Sequence, residues 1–153
     1  MNFKQKSVMF IATGCFIGNL SVAPGTFGSI LGLPLCFILA KIELTVALVV
    51  TIIFIFFAIM IAQEAEKILV EKDPGCIVID EIAGLMVALI GLPFNIISVT
   101  AGFIIFRAFD IFKPYPIRYL EEKLPGGVAV VMDDVAAGIY SNIVLRVGIF
   151  FLN

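Results

Sequence analysis

Histidine is absent from this chain, and charge is scarce. Its 153 residues include 10 Lys and Arg and 12 Asp and Glu. Without His, the commonest general base and phosphate-accepting nucleophile is missing. A formal net charge of −2 leaves no basic tail to follow a nucleic-acid backbone, so nucleic acid is excluded as a partner. Cys15, Cys36 and Cys76 stand singly, without Cys-x-x-Cys spacing, which argues against a zinc site or a disulfide framework. They read as small buried hydrophobes. Only 14% of residues are charged, against roughly a quarter in soluble domains. Hydrophobic residues make up 61% of the chain and mean hydropathy is +1.16. A soluble domain of this size cannot hide so much apolar surface, and disorder is excluded by the same figures. The composition predicts an integral membrane protein, with residues 1–153 forming a single domain.

Long apolar runs predict an all-α, polytopic membrane bundle. Residues 44–62 are unbroken except for Thr51 and match the hydrocarbon thickness of about 30 Å. Residues 27–40 form an earlier run, and the charged step Lys41-Ile42-Glu43 between them reads as the turn of a helical hairpin. Residues 82–106 are free of charge but interrupted by Gly91-Leu92-Pro93-Phe94-Asn95. Residues 135–152 form the last run, with Arg146 as its one charge. A membrane-surface or partly inserted helix is expected over 7–17. Most Lys and Arg fall in residues 63–81 and 107–134, so the positive-inside rule places both segments in the cytoplasm. Residues 82–106 must then form a second hairpin turning at 91–95. Its arms reach full length only by extending into 77–80 and 108–110.

Four stretches hold nearly all the polar residues that are not solvated surface. In Pro24-Gly25-Thr26-Phe27-Gly28-Ser29, a turn leads into a helix whose free N–H groups and hydroxyls can hold an anion. The same residues also suit an ordinary helix cap. Asp80-Glu81 directly precedes an apolar helix; the pair can complement a helix dipole, yet carboxylates beside hydrocarbon are costly unless paired or bound to a cation. Arg107, Asp110 and Lys113 are spaced by three on one helical face, ahead of the breakers Pro114 and Pro116. Gly126-Gly127 is followed by a second acidic pair, Asp133-Asp134. Asp134 can cap the next helix, which leaves Asp133 unexplained.

Two acidic pairs with cations and a hydroxyl-bearing turn on one membrane face point to a metal site handling an anion. Carboxylates without His or thiolate favour Mg²⁺, and Lys and Arg beside them suit phosphate. Other phosphatase designs fail on residues: there is no His, no Cys separated from an Arg by five residues, and no Asp-x-Asp. A small divalent-cation transporter or channel subunit is the alternative reading. It would place acids within the spans, whereas here they lie at the ends. A purely structural subunit leaves the acidic pairs without a reason.

The four stretches, in this order and with Val135-Ala136-Ala137-Gly138 after the second pair, resemble the motifs of the phosphatidylglycerophosphatase A family. The resemblance covers about residues 18–138. It departs at Ala129, where Gly is expected. It implies a Mg²⁺-dependent bacterial enzyme, multi-pass in the inner membrane with its active site facing the cytoplasm. Such an enzyme hydrolyses phosphatidylglycerophosphate to phosphatidylglycerol and phosphate. On that reading Asp80, Glu81, Asp133 and Asp134 hold the metal, with Asp110 near them. Arg107, Asp110, Lys113, Gly25, Thr26 and Ser29 bind the substrate, and Lys113 takes part in catalysis together with the four metal-holding acids.

Overall fold

The computed structural model describes residues 1–152, all of whose regular elements are helical. Seven α-helices follow one another: α1 (Phe3–Ala12), α2 (Pro24–Leu39), α3 (Leu44–Leu69), α4 (Ile79–Leu89), α5 (Ile96–Phe112), α6 (Ile117–Lys123) and α7 (Gly126–Leu152), with a 3-10 turn at Ile17–Asn19. Helices α3 and α7 are long and apolar enough to cross a membrane. Helix α3 is built inside out compared with a soluble core helix. Its small residues Ala58 and Ala62 are 0% exposed, whereas Ile53, Phe56 and Met60 are 63%, 66% and 62% exposed. Large apolar side chains face outward because lipid solvates them as well as a core would, while small ones let helices approach closely. The chain is a membrane protein.

Helix α4 lies at the centre, with all its residues buried except the half-buried Glu81 and Val87. At 11 residues it is roughly 16 Å long, about half the hydrocarbon thickness. The expected hairpin is present, but its first arm stays short even though it starts at Ile79. Glycines bring α4 and α7 together. A Cβ on Gly84 would sit 2.6 Å from the Phe106 ring and 2.8 Å from Asp134 O, and one on Gly138 would strike Gly84 O.

Helices α1 and α7 begin furthest ahead of the apolar runs. Helix α1 starts at Phe3 because Asn2 and Gln5 form a reciprocal capping box, and it stops before Gly14, Cys15 and Phe16, all of positive φ. The run expected over 7–17 is therefore helical only in its first half. Helix α7 starts at Gly126 rather than 135, because Gly127 lies directly against the backbone of Ile59 and Gln63 on α3. Asp133 and Asp134 consequently lie on a helix, about two turns in, and not in a loop before it.

The two ends of the bundle differ in chemistry. The α2–α3 turn and the 91–95 turn meet at one end, where a Cβ on Gly91 would lie 3.1 Å from Leu44 and 2.7 Å from Arg146. The acidic pairs lie toward the other end. Asp133 and Arg146 are separated along α7 by roughly 20 Å.

Candidate active site

The residues before α4 are threaded against the start of the chain. Val78 N–H donates to Ala12 O at 2.9 Å, and Gly28 of α2 leaves room only for the Val78 side chain. This holds the first turn of α4, with Asp80 and Glu81, beside the start of α2 and the second and third turns of α7. One ligand oxygen from each of Asp80, Glu81 and Asp134 lies within 4.8 Å of the others. Asp80 is 7% exposed and Asp134 3%. Asp80 Oδ1, Glu81 Oε2 and Asp134 Oδ1 are all buried without a hydrogen-bond partner among the described residues. Three neighbouring carboxylates, each with an unpartnered buried oxygen, are costly when alone and are well suited to a hard divalent cation. The residues fit a metal ion.

Asp133 is placed differently from the other three acids. Lys113 Nζ donates to its Oδ2 at 2.7 Å, and Asp134 N–H donates to its Oδ1 at 2.9 Å. Both oxygens are engaged, so Asp133 neighbours the three-carboxylate cluster without joining it. Helix α5 ends at Phe112, and Lys113 takes a left-handed backbone (φ 44°) that turns its side chain off the helical face. It therefore does not stack under Arg107 and Asp110 as the spacing of three suggests. Its ammonium bridges Asp133 and Glu121, the latter at 2.9 Å. Burial alone would lower the Lys113 pKa, but the hydrogen bonds and charges of these carboxylates raise it above its ordinary value.

Arg107 forms an ion pair with Asp110 one turn on, and its Nη1 lies 3.7 Å from Glu81 Oε1. Arg107 Nε is buried without an acceptor among the described residues. A donor thus stands free beside the carboxylate cluster, where a phosphate oxygen would accept it.

The start of α2 closes the site from the other side. A Cβ on Gly25 would strike Glu81 Oε1 and lie 3.0 and 3.1 Å from the Arg107 guanidinium nitrogens. Helix α2 supplies fewer free donors than the sequence suggests. Ala23 adopts a left-handed conformation (φ 47°), and its carbonyl accepts from the N–H groups of Thr26 and Phe27. Pro24 has no N–H, so Gly25 N–H and the half-buried Thr26 hydroxyl remain. Ser29 is turned elsewhere: its fully buried hydroxyl donates to Gly25 O at 2.8 Å within the helix.

Sequence reasoning missed Glu121 and Asn142. Glu121 meets Lys113 only because the chain doubles back through Pro114 and Pro116, for which residue spacing carries no signal. Asn142 did have a signal, an amide in an apolar run four residues before its only charge, Arg146.

The phosphatidylglycerophosphatase A family matches residues 10–149. The chain is 33% identical over 132 residues to phosphatidylglycerophosphatase A of Escherichia coli K12, covering 86% of this chain and 77% of the relative. It is 35% identical over 140 residues to the Haemophilus influenzae protein of the same name, covering 90% and 86%. It is 41% identical over 149 residues, 91% of each chain, to a Bacteroides thetaiotaomicron protein provisionally named a phosphatidylinositol-3-phosphatase. No solved structure matches. The fold, the buried carboxylates and the family match agree: this chain belongs to the phosphatidylglycerophosphatase A family.

Proposed function

We propose that the protein hydrolyses the terminal phosphate of phosphatidylglycerophosphate, yielding phosphatidylglycerol and phosphate, with Mg²⁺ as its cofactor. The observation that carries this reading is the cluster of Asp80, Glu81 and Asp134, each with an unpartnered buried oxygen. These three residues would hold the ion, with Asp133 beside them. When bound, Mg²⁺ supplies Lewis acidity to the phosphoryl group and to water.

The other residues bind and orient. Arg107 presents its free Nε to a phosphate oxygen, while Asp110 and Glu81 hold the guanidinium in place. Lys113, fixed between Asp133 and Glu121, supplies a constant positive charge against the negative charge that develops during transfer. Gly25 N–H and the Thr26 hydroxyl close around the remaining oxygens. The leaving glycerol oxygen takes a proton from water. The acids and cations lie toward the end of the bundle that carries residues 63–81 and 107–134. Their Lys and Arg content supports a multi-pass protein in the inner membrane with this end in the cytoplasm.

The name of the Bacteroides relative favours a second substrate, phosphatidylinositol 3-phosphate. Both lipids carry a phosphomonoester group, which the same site chemistry would accept. Purified protein in mixed micelles is to be given each lipid in turn, with and without EDTA, and phosphate release measured. Faster, Mg²⁺-restored release from phosphatidylglycerophosphate supports the proposal. Preference for phosphatidylinositol 3-phosphate supports the second reading. No release from either, with divalent-cation flux in liposomes, overturns both in favour of transport.

A further inference from the structure

We propose that Asn142 and Arg146 form a clamp that sets the position of α4 along α7, and through it the spacing of Asp80 and Glu81 from Asp134. The clamp rests on the metal-site reading for its functional consequence. Its geometry stands apart from that reading.

Helix α4 ends after 11 residues, far from either end of the long helix α7 on which it packs. Its last carbonyls would face apolar surroundings without partners, which is costly in a membrane protein. Asn142 meets that need. The two N–H bonds of its Nδ2 are shared among Val87 O, Ala88 O and Ile90 O, which lie at 3.2, 3.0 and 3.0 Å. Its Oδ1 accepts from Arg146 Nε at 2.7 Å, so the amide is held in one orientation. Arg146 Nη2 reaches on to Ile90 O at 3.2 Å and Gly91 O at 3.4 Å. Leu89 O accepts from Leu92 N–H. Gly91 has φ 68°, and a Cβ there would lie 2.7 Å from Arg146 Nη2, so this turn and the guanidinium fit each other.

Asn142 and Asp134 both project from α7, about 12 Å apart along its axis. Asp80 and Glu81 stand at the start of α4, and the clamp grips its end. Helix α4 is therefore fixed at both ends against one rigid helix, with the Gly84–Gly138 approach between them. The cation of Arg146 lies at the negative end of the α4 dipole and the acids at its positive end, so the short helix is electrostatically matched at each terminus. Neither Asn142 nor Arg146 touches the cluster. They are positioning residues, and they account for the one charge in the last apolar run without invoking a conduction path.

The test uses full-length protein in detergent, with Mn²⁺ as the probe and free ion counted by electron paramagnetic resonance. Asn142→Leu keeps the size and removes the donors. At matched helicity it is expected to weaken Mn²⁺ binding about tenfold, as loss of groups that orient metal ligands does. Arg146→Lys keeps the charge and should restore affinity to within about threefold of wild type, whereas Arg146→Leu should not. Affinity for Asn142→Leu within about twofold of wild type overturns the proposal. If Asn142→Leu fails to fold, the Arg146 pair decides: equal affinity for Lys and Leu overturns the clamp. If wild type itself binds no Mn²⁺, the metal reading falls, and hydrogen exchange across residues 79–92 judges the clamp. Exchange at least about tenfold faster in Asn142→Leu then supports it, and unchanged exchange overturns it.

Discussion

Lys113 and Asp133 are twenty residues apart in the chain, and Lys113 Nζ lies 2.7 Å from Asp133 Oδ2. The pair joins the end of α5 to the second turn of α7, on the flank of the carboxylate cluster. Lys113→Ala would leave Asp133 buried without its cation, at an expected loss of about 2 kcal/mol. Adding Asp133→Asn should recover part of that loss, giving a coupling of at least about 1 kcal/mol in thermal unfolding. Strict additivity of the two substitutions would show that the pair is not coupled.

The raised Lys113 pKa fixes the sign of its pH dependence. A lysine whose folded value lies above its unfolded one contributes stability that is fully present below about pH 10.4 and is lost as pH rises through the folded value. Its charge is therefore constant between pH 6 and 9. The activity profiles of wild type and Lys113→Arg should have the same limbs over that interval, whatever their heights. A limb that moves with the substitution would make Lys113 a proton donor in the reaction.

Asp80→Asn, Glu81→Gln and Asp134→Asn should each lower kcat by about two orders of magnitude or more and weaken Mg²⁺ activation. Asp133→Asn should also lower kcat, but with a smaller change in the Mg²⁺ requirement, because both its oxygens are engaged by other groups. Glu43→Gln is the control: it sits at the start of α3, at the opposite end of the bundle. A series at matched protein levels in which Glu43→Gln is as damaging as Asp134→Asn would return the transporter reading to first place.

Gly25 and Gly32 lie on the same face of α2 with different room. A Cβ on Gly25 strikes Glu81 and crowds Arg107, whereas one on Gly32 makes ordinary contacts with Ile82 at 3.4 Å and beyond. Gly25→Ala should abolish most activity and lower stability by about 1–3 kcal/mol. Gly32→Ala should keep activity and gain up to about 1 kcal/mol from helix propensity. Phosphate release and thermal unfolding of the two proteins check both statements.

In a background with Cys15, Cys36 and Cys76 replaced, Lys72→Cys and Lys123→Cys should be labelled from the same membrane side, and Glu43→Cys from the other. Labelling of residues 72 and 123 from opposite sides would separate the acidic pairs across the membrane and dissolve the shared site.

The hairpin at 91–95 was legible because charge on both flanks demanded a return crossing, and Gly91 with Pro93 in one short stretch favours a turn; Gly91 has a positive φ. The grouping of Asp80, Glu81 and Asp134 was legible for a similar reason: adjacent acids beside apolar runs have few affordable places. The split between Asp133 and Asp134 was not. It depends on α7 beginning at Gly126, and that start is set by the fit of Gly127 against Ile59 and Gln63 of another helix. Lys113 escaped for a local reason, since one left-handed residue cancels the spacing of three that Arg107 and Asp110 obey. Ser29 misled because a hydroxyl at i+4 can turn back to its own helix carbonyl as readily as outward.

The alanine-lined inner face of α3 carries a consequence for which substitutions this protein can absorb. Exchanging Ile53, Phe56 or Met60 for another large apolar residue swaps one lipid-solvated surface for another and tells the neighbouring helices nothing. Enlarging Ala58 or Ala62 by a single methylene pushes α3 away from the helices it packs on, in a contact that has no slack. Hydrophobicity keeps this helix in the bilayer, but its smallest side chains specify where it stands.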